Sequence, residues 1–408
     1  MHTHEPPKAT KGGHRRSDRP YRRCRLATAL TLLAIGASAC GNSATAATDD
    51  HSTPTPAPTV TSAAPSDRQS PIGDEAELQD QLDALVDLGV PGAVLMIRDG
   101  DRSLVLTSGV ADLETGAPID GAGTFRIASV TKPYVATIVF QLADEGRLSI
   151  DDTIQEWLPG LVPNGDHISI RQLLSHRSGI ADYFTEEVLT PYVEGDLGFV
   201  WSPDELIGIA VDAGPVFEPG ADFAYSNAGY AILGRIIEQV TGHSLGEELE
   251  ARIFEPLELT HTRFATTATP DPTLTRGYLL SDAPPMDVTD LYPFYWGAGN
   301  IVADPGDVAE FYGALLGGGL LEPASLADMA SGEPDSFPGA GLWSRNYSCG
   351  VTHGHDGTVP GYNTDVQVLE GGRTVVLFAN SSTFDDAAAP DPLVPDLWTS
   401  IMDSALCG

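Results

Sequence analysis

Strand-like apolar runs stand toward both ends of the folded part of this chain and helical patterning fills its middle, so the two ends must share a sheet to bury those runs. Residues 92–97 and 103–108 are short apolar runs separated by Asp99-Gly100-Asp101, which predicts a hairpin, and apolar residues at helical spacing over 75–88 predict a helix before it. A long amphipathic helix is predicted over 129–144, where Pro133 falls in the first turn and its missing N–H costs no hydrogen bond. Further helices are predicted at 170–174, 203–211, 230–241 and 307–316, joined by loops rich in Pro, Gly and Asp. Strand character returns at 347–352, 365–369 and 374–379, and a last helix is predicted over 392–404. No internal repeat is visible, which disfavours a solenoid or propeller. The expected class is α/β of the α+β kind: an antiparallel sheet built from both chain ends, flanked by helices, with a mostly helical insertion over roughly 141–298. A site is expected where the two parts meet.

Lysine is nearly absent, occurring only as Lys8, Lys11 and Lys132. Lys132 stands three residues after a serine in Phe125-Arg126-Ile127-Ala128-Ser129-Val130-Thr131-Lys132, a spacing that puts hydroxyl and ammonium on one helix face. Where arginine fills the surface roles, a retained lysine points to chemistry that arginine cannot do. Its ammonium is compact, its pKa moves on burial, and it can pass a proton. Ser129 is therefore read as a nucleophile activated by Lys132. Two more segments look chemical. Tyr225-Ser226-Asn227 follows a Pro219-Gly220 turn and leads into a helix, and His355-Asp356-Gly357-Thr358 precedes the strand-like run at 366–369, where a sheet edge could line a cleft. Ser175-His176 offers a second Ser/His pair, but His176 is read as capping a helix that ends near Ser178-Gly179.

The chain holds 57 Asp and Glu against 22 Lys and Arg, and eight of those basic groups lie in the first 25 residues. The apolar run at 26–39 that follows is shorter than the about 20 residues needed to cross a bilayer, and it closes on Ala37-Ser38-Ala39-Cys40. Residues 1–40 are read as an export signal, either of lipoprotein type with lipidation at Cys40 or cleaved at an Ala-x-Ala site. Residues 41–73, rich in Ser, Thr, Ala and Pro, are read as a disordered tether, and 74–408 as one globular domain. Without residues 1–40 the chain keeps 14 basic and 55 acidic groups, a formal charge of −41. Such a surface repels nucleic acid and anionic lipid, so no nucleic-acid partner is expected, and membrane contact only through an N-terminal lipid. Cys349 and Cys407, the two cysteines outside the export segment, predict a disulfide in an exported chain. No Cys-x-x-Cys or His-Glu-x-x-His pattern occurs, so no metal or other cofactor is expected, and a monomer is.

In these segments the chain resembles the penicillin-recognising serine hydrolases: class C β-lactamases, D-alanyl-D-alanine carboxypeptidases, D-aminopeptidases and related esterases. The likeness runs over about residues 75–408. Beside the Ser129 to Lys132 stretch it includes Leu173-Leu174-Ser175-His176-Arg177-Ser178-Gly179, Tyr225-Ser226-Asn227, Trp296-Gly297-Ala298-Gly299-Asn300 and Gly354-His355-Asp356-Gly357-Thr358-Val359-Pro360-Gly361-Tyr362. With Ser348-Cys349-Gly350 and the closing Cys407-Gly408, it looks most like a secreted actinobacterial D-alanyl-D-alanine carboxypeptidase. The resemblance implies Ser129 as nucleophile, Lys132 as the cation beside it, and Tyr225 as a base that takes the serine proton and returns it to the leaving group. It implies an oxyanion hole from the backbone N–H groups of Ser129 and Thr358, and substrate contacts from Asn227, His355, Asp356 and Gly357. His355 stands where many relatives carry lysine, and can supply a donor.

Asp356 stands where carboxypeptidase relatives have threonine or serine, and Trp343, with Arg345 two positions on, where they have a carboxylate-binding arginine. A carboxylate at 356 would repel a free C-terminal carboxylate by about 1 kcal/mol in water and more when desolvated. The expected function is an exported acyl-serine hydrolase. A D-alanyl-D-alanine carboxypeptidase acting on peptidoglycan stem peptides comes first, and an esterase or D-amino-acid amidase or aminopeptidase on small ester or amide substrates second. A module that binds β-lactams or cell wall and never turns over comes third.

Overall fold

The computed structural model describes residues 72–196, 198–267, 271–281, 284–291, 295–383 and 393–408. The expected export signal, Cys40 and nearly all of the tether lie outside the described residues. Helix α1 (Glu75–Asp87), whose first N–H groups are met by the Asp74 carboxylate, leads into the hairpin of β1 (Gly92–Asp99) and β2 (Arg102–Asp112). After β3 (Ala117–Pro118) and β4 (Phe125–Arg126), a 3-10 turn at Ala128–Val130 runs directly into α2 (Thr131–Asp144). Ser129 thus sits in the tight turn before the helix, not inside it as the spacing predicted.

Six helices follow: α3 (Ile154–Trp157), α4 (Ile170–Leu174), α5 (Glu186–Val193), α6 (Pro203–Asp212), α7 (Asn227–Thr241) and α8 (Leu245–Leu249). Four of them open on a capping box, Thr153 with Glu156, Ser169 with Gln172, Ser202 with Glu205 and Ser244 with Glu247. Each box satisfies two orphan N–H groups, which lets such short helices persist between loops. Next come β5 (Arg263–Phe264), β6 (Tyr278–Leu280), β7 (Met286–Asp287), β8 (Ile301–Ala303), α9 (Pro305–Leu316) and α10 (Pro323–Met329). The chain then returns to strands as β9 (Trp343–Tyr347), β10 (Gly350–Val359), β11 (Tyr362–Leu369), β12 (Thr374–Ala379) and β13 (Ser381–Thr383), and closes with α11 (Val394–Cys407).

The main sheet has seven strands in the order β3-β2-β1-β12-β11-β10-β9, and every pairing is antiparallel. The two chain ends meet where β1 pairs β12, from Ala93 opposite Ala379 to Arg98 opposite Thr374. Alternation along β1 divides the interior: Ala93, Leu95 and Ile97 join α1 and α11 in one core, while Val94 and Met96 join α2 in the other. Helix α2 is buried almost all round, from Thr131 to Phe140 without a break, because the sheet lies on one side of it and the helical region on the other.

The single strand expected at 347–352 is instead a hairpin, turning at Ser348-Cys349 with Tyr347 opposite Gly350. What holds the turn is remote in sequence. Cys349 is bonded to Cys407 at the end of α11, with Cα atoms 5.3 Å apart, and the N–H and hydroxyl of Ser348 both donate to Asp403.

Candidate active site

Strand β10 and the 3-10 turn at Ser129 pack against each other, and this contact fixes the site. A Cβ on Gly357 would lie 2.6 Å from the Ile127 carbonyl oxygen and 2.8 Å from the Ser129 nitrogen, so only glycine allows the approach. Ala128, immediately before the serine, has φ +53°, a left-handed conformation that costs a β-carbon residue about 1 kcal/mol. The surrounding core maintains it: Ile127, Ala128 and Val130 are all fully buried, and the Ile127 N–H donates to Ile301 O. The result is a serine side chain turned out of the core at the start of α2.

Behind Ser129, fully buried, is Lys132. Its Nζ is 3.0 Å from Ser129 Oγ, 2.9 Å from Asn227 Oδ1 and 2.9 Å from Ala298 O. Burial pushes its pKa down to about 7, against the opposing fields of Asp182 and Asp356. The Tyr225 hydroxyl donates to Ser129 Oγ at 2.8 Å. Burial pushes this phenol well above its ordinary value, only partly offset by the hydrogen bond to Ser129. The electrostatics therefore differ from the expected phenolate base: at neutral pH Tyr225 keeps its proton, and the amine that can lose one is Lys132. A neutral Lys132 would donate two N–H bonds to the carbonyls of Asn227 and Ala298 and aim its lone pair at Ser129.

Asn227 is largely committed. Its Oδ1 accepts from Lys132 while its Nδ2 donates to Asp182 Oδ2 at 2.9 Å, so it positions the lysine and keeps one N–H for a ligand. His176 occupies the left-handed position, at φ +55°, just past α4, a helix that ends at Leu174 and not near Ser178-Gly179 as expected. Its ring stacks on Tyr225 with centroids 4.3 Å apart, and its Nδ1 accepts from the Ser226 N–H, so the imidazole also braces the tyrosine.

Beyond the end of β9 at Trp343, opposite Gly354, the edge of β10 is open. In an antiparallel ladder alternate residues turn their backbone groups to opposite sides. Tyr347 and Gly350 close the hairpin, so the N–H groups of Asp356 and Thr358 face the open edge beside Ser129. The Thr358 hydroxyl is used elsewhere, donating to Asn363 Oδ1 at 2.7 Å. His355 points into the molecule. Its Nδ1 lies 2.5 Å from the Asp356 carbonyl, which fixes the proton on Nδ1, and burial holds its pKa down at about 4. It is therefore neutral, and Nε2 offers an acceptor where the sequence suggested a donor.

Ser129, Tyr225, Asn227, His355, Asp356, Gly357 and Thr358 all line one cleft of about 440 Å³. Asp182, Phe184, Tyr295, Trp343 and Arg345 complete its wall. Asp182 was missed in the sequence, where nothing sets it apart from the many other acids. Arg345 is held by two carboxylates, Asp356 Oδ1 at 2.8 Å and Asp365 Oδ2 at 3.3 Å. Burial works against its charge, but these two carboxylates outweigh that and hold its pKa above the ordinary value.

Comparison with known proteins agrees with this geometry. The family model described as Beta-lactamase matches residues 76–395. Penicillin-binding protein 4 of Amycolatopsis lactamdurans is 33% identical over 333 residues, covering 74% of this chain and 84% of that protein. Among solved structures, a D-stereospecific amidohydrolase from Streptomyces sp. is 33% identical with a TM-score of 0.72, covering 82% of this chain and 99% of that one. The D-amino acid amidase of Ochrobactrum anthropi SV3, complexed with L-phenylalanine amide, is 29% identical with a TM-score of 0.73, covering 81% and 97%. With a serine, a buried lysine and a tyrosine assembled on this sheet and helix framework, the chain belongs to the β-lactamase family, a family of serine hydrolases.

Proposed function

We propose that this enzyme hydrolyses amides or esters of D-amino acids or short D-peptides through a Ser129 acyl-enzyme, and that it favours substrates without a free carboxylate beside the scissile bond. The observation that carries this reading is the pairing of Arg345. It is the one cation among the described residues that line the cleft, and Asp356 and Asp365 both neutralise it. A substrate carboxylate would meet a net negative wall, whereas an ester, an amide or an ammonium group would not. The aromatic walls of Phe184, Tyr295 and Trp343 suit an apolar acyl side chain. The D-stereospecific amidohydrolase and the D-amino acid amidase support the choice of configuration and bond.

In the proposed cycle Ser129 gives its proton to the lone pair of Lys132 as Oγ bonds to the carbonyl carbon. The oxyanion forms between the N–H groups of Ser129 and Thr358, each worth about 3 kcal/mol. As the bond to the leaving group breaks, Tyr225 gives that group its proton and Lys132 returns one to Tyr225. Water reverses these transfers to release the acid. The enzyme would act outside the cytoplasm, released or held by a lipid on Cys40.

A second reading, D-alanyl-D-alanine carboxypeptidase on peptidoglycan peptides, is favoured by the likeness to penicillin-binding protein 4. The two separate on one comparison, kcat/KM for an acyl-D-Ala-D-Ala peptide with a free C-terminus against the same peptide as its C-terminal amide and methyl ester. The proposal expects the amide and ester to be preferred by about tenfold or more. A preference for the free acid overturns it, and acylation without turnover would make the chain a binding module.

A further inference from the structure

Asp356 and Asp365 stand directly opposite each other on neighbouring strands, in the register of β10 with β11. Like charges at such a pair repel, and one of them is buried. Asp356 is half exposed at the cleft, whereas the Asp365 side chain is 4% exposed, on the sheet face that packs against α11. Arg345, opposite Thr352 on β9, reaches across β10 to bridge both carboxylates. Asp365 is also fixed from the side: Gln367 Nε2 donates to its Oδ1 at 3.1 Å, and Gln367 Oε1 is in turn held by Thr352 Oγ1 at 2.7 Å. Trp398 of α11 adds a further hydrogen bond. So elaborate an anchorage keeps one end of the guanidinium turned away from the cleft.

We infer that Asp365, although it does not touch the cleft, determines the charge specificity of the site by holding and neutralising Arg345 from behind the sheet. The inference rests on the proposed preference for substrates lacking a free carboxylate and assigns its structural cause. With Asp356, Arg345 and Asp365 all ionised, the cluster carries one net negative charge. Neutralising Asp365 leaves Arg345 balanced by Asp356 alone, and neutralising both leaves an uncompensated cation facing the substrate. Asp365 is a positioning residue, since it acts only through Arg345.

The test compares Asp365→Asn and the Asp356→Asn/Asp365→Asn pair with the unaltered protein, reading kcat/KM for the free-acid peptide over kcat/KM for its C-terminal amide. We expect the ratio to rise about fivefold or more in Asp365→Asn and further in the double variant. If Asp365 were merely structural, both substrates would lose activity together and the ratio would stay fixed, which overturns the inference. Should the variants not fold, the unaltered protein decides by its pH dependence. The groups facing Asp365 are Arg345 and Tyr347 from β9, Asp356 and Thr352 from β10, Gln367 from β11 and Trp398 from α11, and burial raises its pKa to about 6. The ratio should therefore rise as pH falls from 7 to 5 with a midpoint near 6, distinct from the midpoint near 7 that protonation of Lys132 gives. A flat ratio over that range overturns the inference. The reading it rests on fails separately, if the unaltered protein prefers the free acid at pH 7.

Discussion

Replacing Lys132 by arginine isolates what the lysine contributes. Burial moves its pKa from 10.5 to about 7, and at 1.36 kcal/mol per unit that is about 5 kcal/mol of disfavoured charge. Near neutral pH a large share of molecules then carries a free amine 3.0 Å from Ser129. Arginine cannot follow, because its guanidinium stays protonated. The fork also has no space, since Nζ already touches Ser129, Asn227 and Ala298 at 2.9 to 3.0 Å. Loss of a general base typically costs about 10²–10⁴ in rate, so single-turnover acylation by an activated ester should fall at least a hundredfold in Lys132→Arg. In the unaltered protein the acylation rate should rise with pH through a midpoint near 7, because the unprotonated amine is the active form. The assay is quenched-flow acylation from pH 5.5 to 9, with circular dichroism to verify folding. An arginine variant within tenfold of the unaltered protein, or a rate flat from pH 6 to 8, would refute the argument.

Gly357→Ala should lower kcat more than it raises KM, since its Cβ would displace the Ser129 turn, with a stability loss of about 1–3 kcal/mol measurable by urea unfolding. Cys349→Ser or Cys407→Ser opens a bridge spanning 58 residues and should lower the thermal midpoint, with roughly 4 kcal/mol as the upper guide from chain entropy. Arg345→Gln leaves Asp356 and the buried Asp365 facing each other. Its urea midpoint should drop by the equivalent of about 2 kcal/mol or more at pH 7, and recover part of that at pH 5 as Asp365 protonates. The sign follows from linkage: a buried carboxyl with a raised pKa favours the folded state at low pH once its cation is gone.

The sheet was legible because the signals for it are local: the turn at Asp99-Gly100-Asp101 and the apolar runs that became β1, β2, β11 and β12. The hairpin at Ser348-Cys349 was not, because Asp403 and Cys407, which hold the turn, come from α11 more than 50 residues on. Ser129 and Lys132 could be read from residue type and spacing and Tyr225 from the family resemblance, and the structure brings Lys132 and Tyr225 within hydrogen-bonding distance of Ser129. Their protonation could not be read, since it depends on burial. Asp182 and Asp365 left no signal that distinguishes them from dozens of other acids in so acidic a chain. Only the register that sets Asp365 opposite Asp356 reveals what Arg345 is doing.

Incubation with a fluorescent penicillin or an activated D-amino acid ester, followed by intact-mass and peptide mass spectrometry, tests the central claim most directly. A single acyl adduct should appear on the peptide containing Ser129 and decay with time, and Ser129→Ala, with its fold verified by circular dichroism, should gain none. Labelling retained in that variant, or an adduct on another residue in the unaltered protein, would contradict the account.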